Sequence, residues 1–205
     1  GKIADRLAVS PNLDPHGDDD IIQFESTPHA SGSAHLGPLL QAIRAHHEIT
    51  LTYRKFSEEG DVTHAYMLHP YLLKEYRNRW YLLGWDPSKE GIRTFGCDRI
   101  VDIEMHEESK FQVQASFHPN DYFAHALGIT VLGQGAPEEI VFEADPLLAK
   151  YLASQPLHDS QHIERRSDRT VVTLNVMPTY ELLQWLQAHA GELTICQPDH
   201  IRTSV

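Results

Sequence analysis

Arg93 and Arg99 flank Phe95, and Tyr81 lies a short strand upstream of them. A guanidinium offers a rigid fork of donors that matches phosphate, and its flat face stacks on a nucleobase. Aromatic rings interleaved with such cations are the platforms on which single-stranded nucleic acids lie, each stacked base contributing on the order of 1–3 kcal/mol. By residue type, then, Arg93, Arg99, Tyr81 and Phe95 form a candidate pocket for a nucleotide or an oligonucleotide. Two plainer roles compete with this one. Strand alternation puts Trp80 and Leu82 on a core-facing side and Tyr81 on the opposite face. Arg99, next to Asp98, could also be no more than a surface ion pair contributing under about 1 kcal/mol.

Other chemistries find little support. There are 14 histidines, but His46 and His47 are adjacent and diverge on a helix, while His158 and His162 fall in a loop-to-strand segment where their spacing has no metal-binding geometry. No nucleophile elbow, P-loop or HExxH helix occurs, and Gly133-Gln134-Gly135 lacks the third glycine and the strand-to-helix setting of a dinucleotide site. The expectation is a non-enzyme without metal or cofactor. Cys97 and Cys196 sit in separate apolar, strand-like stretches and read as reduced core thiols.

The formal charge of −12 opposes a polyanion unless positive residues are gathered in one place. Residues 71–99 gather them: Lys74, Arg77, Arg79, Lys89, Arg93 and Arg99 against Glu75, Asp86, Glu90 and Asp98. With no apolar run of about 18 residues and no basic-then-apolar leader, a cytoplasmic protein is expected.

The elements that must hold these residues follow from periodicity. Residues 1–35 carry prolines, an Asp18-Asp19-Asp20 run and one apolar island at Ile21-Ile22 and Phe24, and read as a linker with one docked strand. His35 to Glu48 is an amphipathic helix on Leu36, Leu39, Leu40 and Ile43. Ile49, Leu51 and Tyr53 then alternate as a strand, and residues 57–61 make a hairpin turn before Val62. Two strands meet at a Glu75–Arg79 tip, with Pro70 marking a bend or an edge. Ile92–Cys97 and Arg99–Met105 complete about five antiparallel strands, which suits a small barrel. A helix over Phe117–Leu127 should connect to a second unit, read as strand Glu139–Glu143, helix Pro146–Ala153, strands Ser160–Arg165 and Thr170–Val176, helix Thr179–His189 and strand Glu192–Cys196. That βαββαβ order is the ferredoxin-like sandwich.

Trp80-Tyr81-Leu82 carries weight only within an ordered set: Tyr53 on a strand after a helix, His69-Pro70-Tyr71, the tripeptide itself, and Arg93-x-Phe95-x-x-Asp98-Arg99-Ile100. This set resembles the WYL domain over about residues 36–110. The C-terminal stretch from Met177 through Trp185 to Gln197-Pro198-Asp199-His200-Ile201-Arg202 is similar to the extension that follows WYL in a group of bacterial transcriptional regulators. The resemblance implies an α+β chain: an Sm-like (SH3-like) small β-barrel at 36–110, a connecting helix and linker at 111–135, and a ferredoxin-like extension at 136–205. It also implies regulators whose N-terminal winged helix-turn-helix grips double-stranded DNA, a domain for which residues 1–35 are too short and too polar. Many members carry a basic residue four positions before the motif proline; this chain has Tyr66 there, which leaves one charge contact of the family's ligand site unaccounted for.

Residue types and resemblance together put the ligand-binding set at Tyr53, His69, Tyr71, Arg79, Tyr81, Arg93, Phe95 and Arg99. The expected function is the effector-sensing and assembly part of a homodimeric regulator, with a nucleotide or single-stranded nucleic acid as effector. The alternatives are a ligand-independent dimerisation or docking scaffold and an Sm-like module that binds RNA directly. Solvent-facing Arg79, Arg93, Arg99 and Tyr81 would favour sensing; burial of the arginines against Asp98 or Asp102 would favour the scaffold.

Overall fold

The computed structural model describes residues 32–56, 62–133, 136–166 and 169–204. The leader with its apolar island, and the turn at 57–61, lie outside these residues. Helix α1 (Ser33–Ala45) buries Leu39 and Ala42, and it stops short of the expected Glu48 because His46 turns left-handed at φ 56° and sends the chain straight into a strand.

Strands β1 (His47–Arg54), β2 (Thr63–Tyr76), β3 (Arg79–Asp86), β4 (Gly91–Gly96) and β5 (Ile100–Lys110) form one antiparallel sheet in the order β4-β3-β2-β1-β5. β2 is long because it serves two partners: Thr63–Leu68 pairs with β1, and His69–Tyr76 pairs with β3. Pro70 stands at that changeover, where the register slips, as a residue that cannot donate to a ladder should. β4 and β5 are the two edges and do not pair, so the sheet is not a closed barrel. Only a 3-10 turn, Cys97–Arg99, separates them, which limits the gap between the strand ends to about 14 Å and forces the sheet to curl. Inside the curl lie Ile49, Leu51, Tyr53, Leu68, Leu82, Phe95, Cys97 and Ile100, closed by α1.

The connector does not form the expected helix over Phe117–Leu127. Its helical part is one turn, α2 (Pro119–Tyr122), and aromatic contacts hold the rest. Phe117 and Phe111 pack on Tyr71, and the Lys74 ammonium sits 4.1 Å from the centre of the Phe123 ring. Gly128 ends the segment at φ +116°, a conformation that favours glycine.

The second unit has strands β6 (Glu138–Ala144), β7 (His162–Arg165), β8 (Thr170–Val176) and β9 (Leu193–Gln197), with helices α3 (Pro146–Ser154), α4 (Tyr180–Ala188) and α5 (Asp199–Arg202). The sheet is antiparallel in the order β7-β8-β6-β9. Asp145 caps α3 by accepting from Leu147 N and Leu148 N at 2.9 and 2.7 Å, with Pro146 at the first helical position. Phe142, Ile140, Val172, Leu174, Leu182 and Leu186 are fully buried, and Trp185 rests on Phe142. The helix carrying Trp185 thus packs on its own sheet, as its periodicity predicts. Among the described residues no helix is long and apolar enough to cross a membrane.

Cys97 is buried, and burial, with Asp98 adding to it, pushes its thiol up to about 12. Cys196 is half-buried and not a core thiol. Iodoacetamide at pH 8 should therefore alkylate Cys196 and spare Cys97 until the protein is denatured, giving one adduct by intact mass where the unfolded chain gives two. Two adducts on the folded chain would contradict this burial.

Candidate ligand face on the first sheet

The curl of the first sheet leaves one end of its concave side lined by rings. Tyr53 meets Phe95 edge-on at 5.0 Å, and Tyr66 lies 5.2 Å from Phe95. Register explains the grouping: Tyr66 is opposite Leu51 and Phe95 opposite Leu82, so both share the core-facing side with Tyr53. The Tyr53 hydroxyl accepts from Gly96 N at 3.1 Å. Burial raises the Tyr53 phenol above its ordinary value, with the Arg99 charge partly offsetting this, so the ring is neutral and fixed.

A guanidinium stands at each side of these rings. Arg93 lies 4.6 Å from the centre of Tyr66 and 5.3 Å from Phe95. Arg99 lies 5.1 Å from Tyr53 and 4.6 Å from the exposed Phe56. Such stacking orders a guanidinium while leaving donors along its edge. Arg93 spends one donor on Asp86, with Nη1 at 3.0 Å from Oδ2. Burial raises the Asp86 carboxyl, but hydrogen bonds from Ser88 and Arg93 outweigh it and hold the group below the usual carboxylate range. The Arg99 Nε is buried and makes no hydrogen bond. Gly96 permits this crowding, since a methyl there would come 3.0 Å from Arg99 Nη2 and 2.7 Å from Asp98 Oδ1.

Of the sequence-derived set, Tyr53, Arg93, Phe95 and Arg99 come together. Arg79 is exposed at their margin and pairs with Asp98 at 3.2 Å. Tyr81 does not join them: it faces Lys74 and Gly96 across the strands and lies on the reverse of the sheet, out of step with Phe95 by one residue. His69 stacks on Phe111 at 4.9 Å and bonds Glu48 at 3.2 Å. Tyr71 is buried against Phe111 and Phe117, and its hydroxyl accepts from Gln114 N. Both tie down the start of the connector. Three contributors escaped sequence reasoning: Phe56; Asp86, which entered as one of the acids set against the basic cluster; and Tyr66, which read only as a missing charge. Tyr66 supplies a ring for Arg93 to rest on instead. Alternation along β2 was the available signal, but its register against β1 depends on the whole face the two strands bury.

A curled antiparallel sheet with two arginines stacked on its aromatic end, followed by a second α+β unit, defines a two-unit α+β protein with a built cationic–aromatic face. Residues 34–105 match the WYL domain and residues 136–205 match the WCX domain. The chain therefore carries a WYL domain followed by a WCX domain. No curated protein matches it. Among solved structures it is similar to proteasome accessory factor B/C (PafBC) of Arthrobacter aurescens, at 18% identity and TM-score 0.42 over 99% of this chain and 29% of that one. It is also similar to a CRISPR Cas-related protein, at 12% identity and TM-score 0.49 over 80% of this chain and 46% of that one. The chain thus spans less than half the length of either.

Proposed function

We propose that this chain is the effector-sensing and assembly portion of a bacterial transcriptional regulator, and that the Arg93–Arg99 face takes a nucleotide or single-stranded nucleic acid. The observation that carries the reading is the pair of guanidiniums stacked on the Tyr53, Phe95 and Tyr66 rings, with the Arg99 Nε buried and unpartnered. The unpartnered Nε is packed toward Gly96, and the remaining edge donors of the two stacked guanidiniums are the groups a phosphate or base oxygen would accept from. The function is not catalytic, and it is exercised in the cytoplasm.

In this reading the curled sheet is a half-open Sm-like barrel within a WYL unit at 36–110, and residues 111–135 are the connector. The WCX unit at 136–205 is ferredoxin-like, in keeping with its βαββαβ order. The protein works as a homodimer whose double-stranded DNA contacts belong to a separate N-terminal domain. Effector binding shifts the dimer only in so far as the effector prefers one arrangement over another. The ion pairs of Arg79 with Asp98 and of Arg93 with Asp86 favour the rival scaffold reading, in which the cations are structural.

Fluorescence anisotropy with labelled single-stranded DNA and RNA, at about 50 and about 200 mM salt, separates the two readings. Saturable, salt-sensitive binding that weakens at least tenfold or so in Arg93→Ala/Arg99→Ala, with mononucleotides competing, is the expected result. Absence of binding, or equal binding by the folded double variant, would give the scaffold reading precedence.

A further inference from the structure

We propose that the cleft between the β2–β3 hairpin tip and helices α3 and α4 is a second ligand site, built for a planar aromatic ring that carries one negative charge. The cleft has a volume of about 440 Å³, a size typical of small-molecule sites. Its floor is apolar, with Leu148 and Leu152 of the second core beneath it and Leu127 of the connector beside them.

The walls are flat. Trp185 and His189 stack at 4.2 Å with planes 22° apart, and His189 Nδ1 lies 2.8 Å from the Trp185 carbonyl oxygen. A carbonyl only accepts, so Nδ1 carries the hydrogen, the imidazole is pinned, and the pair is a ready surface for a third ring. Tyr151 stands on the same cleft with 65% of its surface exposed, although its helix neighbours Leu148 and Leu152 are buried. A large ring left out of the core at the rim of an apolar cleft is the group a bound ligand would cover.

The charge comes from Arg77. Arg77 and Asn78, at φ 49° and 61°, form the two-residue tip between β2 and β3, and this turn presents Arg77 at the cleft mouth over the Tyr76 ring. Among the described residues Arg77 has no carboxylate partner, unlike Arg79 and Arg93. On a chain of net charge −12 a cation beside an apolar cleft selects an anion over a neutral ring. The volume suits an aromatic acid and not a polymer.

This site does not depend on the Arg93–Arg99 reading. The test titrates the full chain with 2-naphthoate and with the neutral 2-naphthamide, by ligand-observed NMR and tryptophan fluorescence. We expect saturable binding of the acid, and an amide Kd weaker by at least about tenfold. Arg77→Gln and Tyr151→Ala should each weaken the acid by a similar factor, while Arg93→Ala/Arg99→Ala leaves it unchanged. Both substituted residues of the cleft are exposed, and circular dichroism checks that the variants fold. No saturable binding of the acid, equal binding of the amide, indifference to both cleft substitutions, or loss with the Arg93/Arg99 variant would each overturn the proposal.

Discussion

Glu181→Ala should destabilise the protein by about 3 kcal/mol, because one carboxylate oxygen holds the connector against the second unit. Glu181, in the first turn of α4, is buried, and its Oε1 accepts from Thr130 Oγ1 at 2.8 Å, Thr130 N at 3.1 Å and Ile129 N at 3.4 Å. Removing it strands three donors in a place where Gly128 leaves no slack: a methyl there would lie 2.9 Å from both Glu181 Cγ and Tyr76 Cζ. The Oε2 atom is buried without a partner, so part of the native carboxylate's cost is already being carried. Glu181→Gln keeps an acceptor for the three donors and should cost about half as much or less. Urea denaturation of the two variants against the parent measures the difference. If alanine and glutamine lose the same small amount, the connector is held by its aromatic contacts alone.

The second large effect is expected at Asp86, which is 3% exposed and accepts from Ser88 N, Ser88 Oγ and Arg93 Nη1 at 2.9, 2.7 and 3.0 Å. Truncating this buried carboxylate strands the two Ser88 donors and leaves the half-buried Arg93 without its counter-ion, so Asp86→Ala should lose about 3 kcal/mol and lower Tm by roughly 6–12 °C. The pair also has a signature in acid. The folded state holds this carboxyl below its ordinary 3.8, so the unfolded chain takes up the proton first and stability rises with pH through this range. The contribution is whole above about pH 4 and is lost as pH falls through the lower, folded value. Asp86→Asn should thus fall short of the parent at neutral pH and converge on it in acid. A gap that stays constant into acid would mean that the carboxylate charge contributes nothing.

Much of this architecture was legible because it is written in local periods. A period of two put Tyr53 and Leu51 on one side of β1, and Trp80 and Leu82 on the opposite side from Tyr81; the structure has both. The βαββαβ order of the second unit followed from alternating strand and helix patterns, and the helix expected from Pro146 starts there as α3. The connector was misread because apolar spacing in Phe117–Leu127 is compatible with a helix, yet those rings are used against Tyr71 and Lys74 from another element.

What the sequence determined by itself is the supply of parts: strands of known facing, two arginines around Phe95, and an aromatic-rich hairpin. Tertiary structure alone decided which parts meet. The pairing of β4 with β3 sets Phe95 across from Leu82 and Tyr81 across from Gly96, and this one-residue parity removes Tyr81 from the arginine face and gives its place to Tyr66. The physical reason is that side-chain direction along a strand is local, whereas register between strands depends on turns, bulges and the burial of a whole face, and no single segment contains that information.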